Sequence, residues 1–448
     1  MPKNCYPVPT SMLSNGEFKA LPQTRQQKLT EKKLRLLAER FGKNLGLSRR
    51  QFLRSSCGMA AAFLAMNAVH GSIFRVDKAE AEDMDAAAAA RKYFDHQFIF
   101  DVQLHFVRDE YAWKGLTGLR RYARKWNTNL TDEKTTLEQL KFENFLDEVF
   151  LQSQTKIGLL SGAPSDDPAK WFLTNDEIAR ACAVVNSIAG SRRLLGHAII
   201  TPGQPGWLDE IDRAVAKLKP ASWKGYTIGD PLGPSRYPWR LDDEKLVYPA
   251  YEKMVRSGIR NVCIHKGLLP QDYQKTFPDL RKYATVDDVG KAARDWPQLN
   301  FIIYHSAIRP LQSFTEEYIR SFEQNGYIPW VSDLAEIPSR YGVDNVYAEL
   351  GTAFATSAIT YPRHCAVLLG TLLKKMGADR VLWGTDSVWY GSPQWQIEAF
   401  RRMEIPEDLQ QKFSLSPLGK GDGPVKNAVL GLNAARLYNM EGLTEGMA

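Results

Sequence analysis

Four short apolar runs in this chain each end in a residue that can bind a metal or move a proton: FIFDVQLH at His105, RNVCIH at His265, NFIIYH at His305 and RVLWGTD at Asp386. Runs of Val, Ile, Leu and aromatic residues that do not alternate with polar ones are strands buried on both faces, the condition of a parallel sheet covered by helices. In a closed parallel barrel every strand opens its carboxyl end on the same rim. The pattern therefore predicts that four residues far apart in sequence meet in one pocket. A single His at a strand end is most often a hydrogen-bonded core residue. The joint placement is what carries the prediction, since three of only seven histidines fall at equivalent strand ends. Asp386 adds weight, because an Asp closing an apolar strand is a buried charge that needs a cation or donors to compensate it.

The order of elements agrees. From Phe98 onward, strand-like segments at 98–105, 156–162, 194–202, 223–229, 260–267, 300–307, 345–351 and 380–387 alternate with helical segments such as NDEIARACAVVNSIA and WLDEIDRAVAKLK. Eight such units in about 300 residues predict a (β/α)8 barrel of the TIM type over residues 98–448. A glycine-rich phosphate loop is missing after the first strand, so a dinucleotide-binding fold loses its main support. The stretch 106–149 is long for a strand-to-helix connection. It is predicted to cover the rim and to offer Tyr111, Trp113, Tyr122 and Trp126 as aromatic walls, although an ordinary surface excursion fits equally well.

The net charge of +7 sits in the first part of the chain. Residues 1–81 hold 14 Lys+Arg against 5 Asp+Glu, leaving 44 against 46 in the rest. The body has no basic excess, which sets nucleic-acid binding aside. Ser48, Arg49, Arg50, Gln51, Phe52 and Leu53 form the pattern of a twin-arginine export signal, followed by a small, apolar stretch from Gly58 to Val69 that is too short to span a bilayer. Residues 1–81 are therefore expected to be an export leader with cleavage near Ala79 to Ala81, residues 82–97 a linker, the translocation machinery a partner and the periplasm the destination. About 47 residues precede the arginine pair, and their LTEKKLRLLAERFGKNLG segment has the make-up of an amphipathic helix. Only Cys182, Cys263 and Cys365 would remain after cleavage, which is no disulfide framework.

In these motifs, and in the terminal VLGLNAARLY, the chain resembles the amidohydrolase superfamily, specifically the branch that includes aminocarboxymuconate-semialdehyde decarboxylase. The resemblance runs from about Phe98 to Met440. It implies one divalent metal held by His105, His265 and Asp386, with His305 beside the reacting carbon as acid/base or polarising group. Imidazole and carboxylate suit Zn2+, and three protein ligands leave a position open. Gln103 departs from the family pattern, standing where the first His of H-x-H is expected. As a neutral amide it weakens the case for zinc and moves the preference toward Mn2+. Strand four has Thr227 near the place of a metal-bridging carboxylated lysine, and Lys224 reads as a surface or rim residue, so at most one metal is expected.

The function this implies is an exported metal-dependent hydrolase of a small organic substrate, with Asp386 taking the proton of a metal-activated water and His305 polarising the scissile carbonyl. A metal-dependent decarboxylase or hydratase is the enzymatic alternative, since the fold does not choose among them. A ligand-binding barrel that has lost catalysis is the alternative of another class. A homodimer is the tendency of the family.

Overall fold

In the computed structural model, which describes residues 6–18, 20–111, 138–269, 278–309 and 316–443, eight parallel strands follow one another in sequence order. They are β1 (Phe100–Leu104), β2 (Ile157–Leu160), β3 (Leu194–Ile199), β4 (Ser222–Tyr226), β5 (Asn261–His265), β6 (Asn300–Tyr304), β7 (Val346–Glu349) and β8 (Val381–Leu382). The chain leaving β8 returns to β1. Val102 N–H donates to Trp383 O at 2.9 Å, Asp386 N–H to Gln103 O at 3.0 Å and Val388 N–H to His105 O at 3.2 Å. These bonds close the sheet into the expected (β/α)8 barrel.

Helices between the strands cover the outside. The one after β2, Asn175–Ala189, starts at a reciprocal cap in which Thr174 and Glu177 satisfy each other's backbone N–H groups, and it stops at Gly190 in the left-handed conformation. Inside, Phe100, Val102, Leu159, Ile302, Tyr304 and Leu382 form the barrel core, and Tyr438 from the terminal segment closes the floor with its ring 5.4 Å from Phe100. Asn433 secures that floor by donating to Val381 O at 2.8 Å. Lys224 corrects one expectation. It is a fully buried residue of β4, not a rim residue, with its Nζ 3.3 Å from the centroid of the Tyr304 ring. Burial lowers its pKa to about 8.

Residues 106–111 and 138–149 of the long connection pack Phe106 against Phe142 and Phe145. Tyr111 is buried edge-on to Phe172. Trp113, Tyr122 and Trp126 lie outside the described residues.

Residues 6–18 and 20–97 fold onto the barrel. Their helices are α1 (Arg25–Asn44), α2 (Arg49–Leu53), α3 (Ser56–His70), α4 (Ala79–Glu82) and α5 (Met84–Tyr93). Thr24 with Gln27, and Ser48 with Gln51, form reciprocal caps at the starts of α1 and α2. The apolar stretch expected as a signal core is α3, whose Ala60, Ala61 and Phe63 are buried. Gly58 allows α3 to meet α2, because a Cβ there would lie 2.3 Å from Phe52 O. Beyond α3, Phe74 bridges to Met403, Arg75 N–H donates to Arg402 O at 2.7 Å, and Arg402 pairs with Glu80 at 2.6 Å and Glu398 at 3.1 Å. No helix among the described residues is long and apolar enough to cross a membrane.

Phe63 packs against Phe74 at 5.0 Å and lies under the Arg402 guanidinium at 5.6 Å. Phe63→Ala is therefore expected to lower the unfolding free energy of the whole chain by about 3–5 kcal/mol, read by urea denaturation. An unchanged transition for the barrel would show that the leader helices contribute nothing to its stability.

Candidate active site

The carboxyl ends of β1, β5, β6, β7 and β8 supply the polar residues of one buried pocket. Gln103, His105, His265, His305, Glu349 and Asp386 are each at most 2% exposed. Strained backbone aims two of them. His305, Ser306 and Ala307 all have positive φ, at 57°, 47° and 55°, and so does Asp386 at 57°. Each is a conformation that L residues seldom adopt, costing about 1–3 kcal/mol and held only where surroundings enforce it. Glu349 does this for β6: its Oε2 accepts the His305 backbone N–H at 2.8 Å, and its carbonyl accepts the Ser306 hydroxyl at 2.8 Å.

The hydrogen bonds fix the two key tautomers. His105 Nδ1 lies 2.8 Å from Ser161 O, which can only accept, so Nδ1 carries a proton, and when the ring is neutral Nε2 turns its lone pair to the pocket. That arrangement is the usual one for a metal-ligating imidazole. His305 is the reverse, since its Nδ1 accepts the Thr352 N–H at 3.1 Å and its proton sits on Nε2. Burial, then the neighbouring His265 and Lys224, hold the His305 pKa well below its usual value. His305 is therefore a neutral N–H donor. It is not a metal ligand through Nε2 in this state.

His105 Nε2 lies 3.1 Å from Asp386 Oδ1, which with a neutral ring sets two acceptors face to face. The Gln103 amide group stands between them and His305, with its Nε2 2.9 Å from Asp386 Oδ1, 3.4 Å from His105 Nε2 and 3.2 Å from His305 Nε2. Its Oε1 has no partner, nor has Glu349 Oε1. The two orphaned oxygens lie together over Gly351, where a Cβ would meet them at 2.5 and 2.8 Å. Gly384 makes the same room, as a Cβ there would stand 1.8 Å from Glu349 Oε1.

Two states of this pair are self-consistent. Burial raises Glu349 to about 8, and the proton it then carries at neutral pH satisfies Gln103 Oε1. Alternatively the amide turns over, Nε2 serves an ionised Glu349, and Oε1 accepts from His305 Nε2–H. Gln103 Oε1, His105 Nε2 and Asp386 Oδ1 then form a triangle of acceptors with edges of 2.9 to 3.4 Å, which repel one another unless a cation lies among them. Atoms about 2.1 Å from a common Zn2+ span such separations. The residues present therefore fit a divalent ion.

His265 completes the set differently from the expectation. Among the described residues, the His, Cys, Asp and Glu side chains that bring three potential ligand atoms within 4.8 Å of one another are Glu17, His265 and His305; His265 does not form such a group with His105 and Asp386. Its Nε2 lies 2.8 Å from Glu17 Oε2, its ring stacks on Tyr226 at 4.7 Å, and its carbonyl accepts from Thr227 Oγ1 at 3.3 Å. Of the aromatic residues near Asp386, Trp389 faces the His105 ring at 5.8 Å, and Tyr390 OH lies 2.9 Å from Thr352 Oγ1. Trp383 instead packs outward against Phe354 and Phe400.

Asn15, Glu17, Glu349 and Thr352 were not expected from sequence. Glu349 had a signal, for it closes the strand VYAE as Asp386 and the histidines close theirs. Asn15 and Glu17 had none.

The chain is an eight-stranded parallel barrel with a cluster of His, Asp and amide side chains at its carboxyl rim, and the amidohydrolase family pattern matches residues 159–440. The chain belongs to that family and is an enzyme of the amidohydrolase superfamily. Curated proteins include no match. Solved structures of similar fold include an uncharacterized TIM-barrel protein from Bordetella bronchiseptica (17% identity, 77% of this chain and 99% of that one, TM-score 0.45). Others are 2,6-dihydroxybenzoate decarboxylase from Rhizobium (17%, 77% and 100%, 0.42) and 5-carboxyvanillate decarboxylase from Novosphingobium aromaticivorans, complexed with manganese (16%, 77% and 97%, 0.45).

Proposed function

We propose that the protein is a metal-dependent non-oxidative decarboxylase of a small carboxylate whose body is apolar or aromatic. The observation that carries this reading is the acceptor cluster of Gln103, His105 and Asp386 set beside a neutral His305 N–H. His105, Asp386 and Gln103 would hold one divalent ion, while His265, expected as a further ligand, stands apart from them beside Glu17. Zn2+ suits the imidazoles, and the amide oxygen favours Mn2+. When bound, the ion supplies a Lewis acid that draws charge from an oxygen of the substrate.

The chain's own residues do the rest. Trp389 and Tyr226 flank His105 and His265, offer flat apolar surface to the substrate and exclude water. His305 Nε2–H donates to a substrate oxygen and stabilises the charge that develops there. As a neutral imidazole pinned by Thr352 N–H it polarises without giving up its proton. The bond to the carboxylate carbon breaks, CO2 leaves, and the electron pair stays on the substrate carbon. That carbon takes up one proton drawn from solvent, which Asp386 Oδ2, held by Thr352 Oγ1 at 2.6 Å, passes on to it. A hydrolase would use the same residues with Asp386 as base toward water.

Purified protein is expected to hold about one equivalent of metal, lost in His105→Ala, and to release CO2 from a panel of aromatic carboxylates. His305→Gln should keep the metal and lose on the order of 10² or more in kcat. Cleavage of esters or amides without CO2 release would restore the hydrolase reading, and metal binding with no turnover in either assay would favour a ligand-binding barrel.

We also propose export by the twin-arginine route. That machinery carries folded proteins, and Arg49 and Arg50 are exposed at the start of α2. Phe52 and Leu53 of the motif face inward, so recognition requires α2 to lift from the body. Replacing both arginines by lysine is expected to retain the protein in the cytoplasm. Undiminished periplasmic protein in that variant would contradict the proposal.

A further inference from the structure

The segment ahead of α1 enters the barrel mouth and engages atoms that the proposed chemistry needs. Asn15 Nδ2 donates to Asp386 Oδ2 at 3.1 Å, the oxygen assigned above to proton transfer. Glu17 Oε2 lies 2.8 Å from His265 Nε2, and because an ionised carboxylate only accepts, that nitrogen donates. The His265 ring stacks on Tyr226 at 4.7 Å, and a ring nitrogen of His305 lies within 4.8 Å of the Glu17 carboxylate. Asn15 is buried and the Glu17 side chain is only 11% exposed, so a ligand that takes these partners displaces both. The turn that carries them is held by its own bonds. Glu17 N–H donates to Asn15 Oδ1 at 3.0 Å, Gly16 N–H donates to Ser14 Oγ at 3.0 Å, and Gly16 takes a φ of 98° that a side chain would resist. The two bonds to His265 and Asp386 come from side chains, so the turn can withdraw without undoing itself. Behind it the segment is tied to α1, where Glu31 accepts from Tyr6, Thr10 and Gln23.

We propose that Glu17 is an intramolecular competitor of the substrate: its carboxylate occupies the subsite in which His265 receives the substrate's carboxylate, and Asn15 holds Asp386 while it is there. This rests on the reading above that the substrate is a small carboxylate. The chemistry of the two groups is the same, an anionic oxygen pair facing an imidazole N–H beside a flat aromatic ring. Two carboxylates do not share one buried site, because like charges at such range keep one of them from ionising. Substrate and Glu17 therefore exclude each other. With the turn in place His265 Nε2 is engaged and Asp386 Oδ2 already carries the donors of Thr352 and Asn15; with the turn withdrawn both are released. A competitor tethered to α1 acts at a high effective concentration, and it lowers the apparent affinity for substrate by the fraction of chains in which the turn has withdrawn. His265 is then the residue that selects a carboxylate, distinct from the acceptors set aside for the ion.

The test uses the full-length chain with Mn2+ present and titrates benzoate, a carboxylate on an apolar ring, by calorimetry, with thermal melts as a check of folding. Glu17→Ala and Asn15→Ala are each expected to bind benzoate on the order of 10-fold or more tightly, the scale of one hydrogen bond to a charged group. Asn15→Ala removes no charge, so it separates withdrawal of the turn from simple loss of repulsion. Glu17→Gln replaces Glu17→Ala if the melt shows that variant unfolded. Adding His265→Ala to Glu17→Ala should abolish the gain. In the wild type, benzoate is expected to speed amide hydrogen exchange across residues 14–18. Unchanged affinity in both variants overturns the proposal, as does tightening in Glu17→Ala alone with exchange at 14–18 unaltered, which is a charge effect. Weaker binding in the variants makes the segment part of the substrate site and equally overturns it, and so does a failure of every form to bind benzoate. The decarboxylase reading is judged separately, by whether the wild type releases CO2 from the carboxylate panel.

Discussion

The hydrogen bonds that join β1 to the chain leaving β8 are the constraint on which the site depends. They close the sheet, and in doing so they set Gln103 and His105 beside Asp386, residues separated by more than 280 positions in sequence. An open sheet would leave those acceptors at opposite edges. Closure brings His105 Nε2 and Asp386 Oδ1 to within 3.1 Å of each other in a buried pocket, two acceptors face to face when the ring is neutral. Everything nearby manages that confrontation. The Gln103 amide stands in it, Thr352 and Asn15 cap the spare oxygen of Asp386, and Gly351 and Gly384 make room for the carboxyl of Glu349.

The same crowding separates the roles of the histidines. Two buried rings at the same rim present opposite nitrogens to the pocket because their far nitrogens meet opposite partners. Ser161 O takes the Nδ1 proton of His105 and turns Nε2 to the pocket, whereas Thr352 N–H takes the lone pair of His305 and leaves it a donor. Residue type alone does not distinguish them. The neighbour on the far side of each ring does.

Much of this was legible in the sequence, and the reason is periodicity. Strands buried on both faces leave continuous apolar runs, so all eight strands, their order and the rim positions of His105, His265, His305 and Asp386 could be read directly. What stayed hidden has physical causes. Lys224 looked like a rim residue because a lysine in a strand is usually solvated, but here it lies over Tyr304 inside the barrel. Glu349 could have been found by the rule that found Asp386. Glu17 and Asn15 reach the site through a tertiary path, from a turn anchored on α1, and no local pattern in residues 6–18 announces a partner some 250 to 370 residues away. The helices expected to be a detachable leader share their apolar faces with the barrel, and an alanine-rich run cannot show whether it will meet a membrane-bound machinery or a neighbouring helix.

The central claim is that one divalent ion belongs at the junction of β1 and β8. Anomalous diffraction at the manganese edge, from crystals of the full chain grown with Mn2+, tests it most directly. The account predicts a single peak within about 2.5 Å of His105 Nε2 and Asp386 Oδ1, with the Gln103 amide oxygen turned toward it. A saturated protein with no peak there, or with the ion held elsewhere while Gln103 keeps its nitrogen between His105 and Asp386, would contradict it.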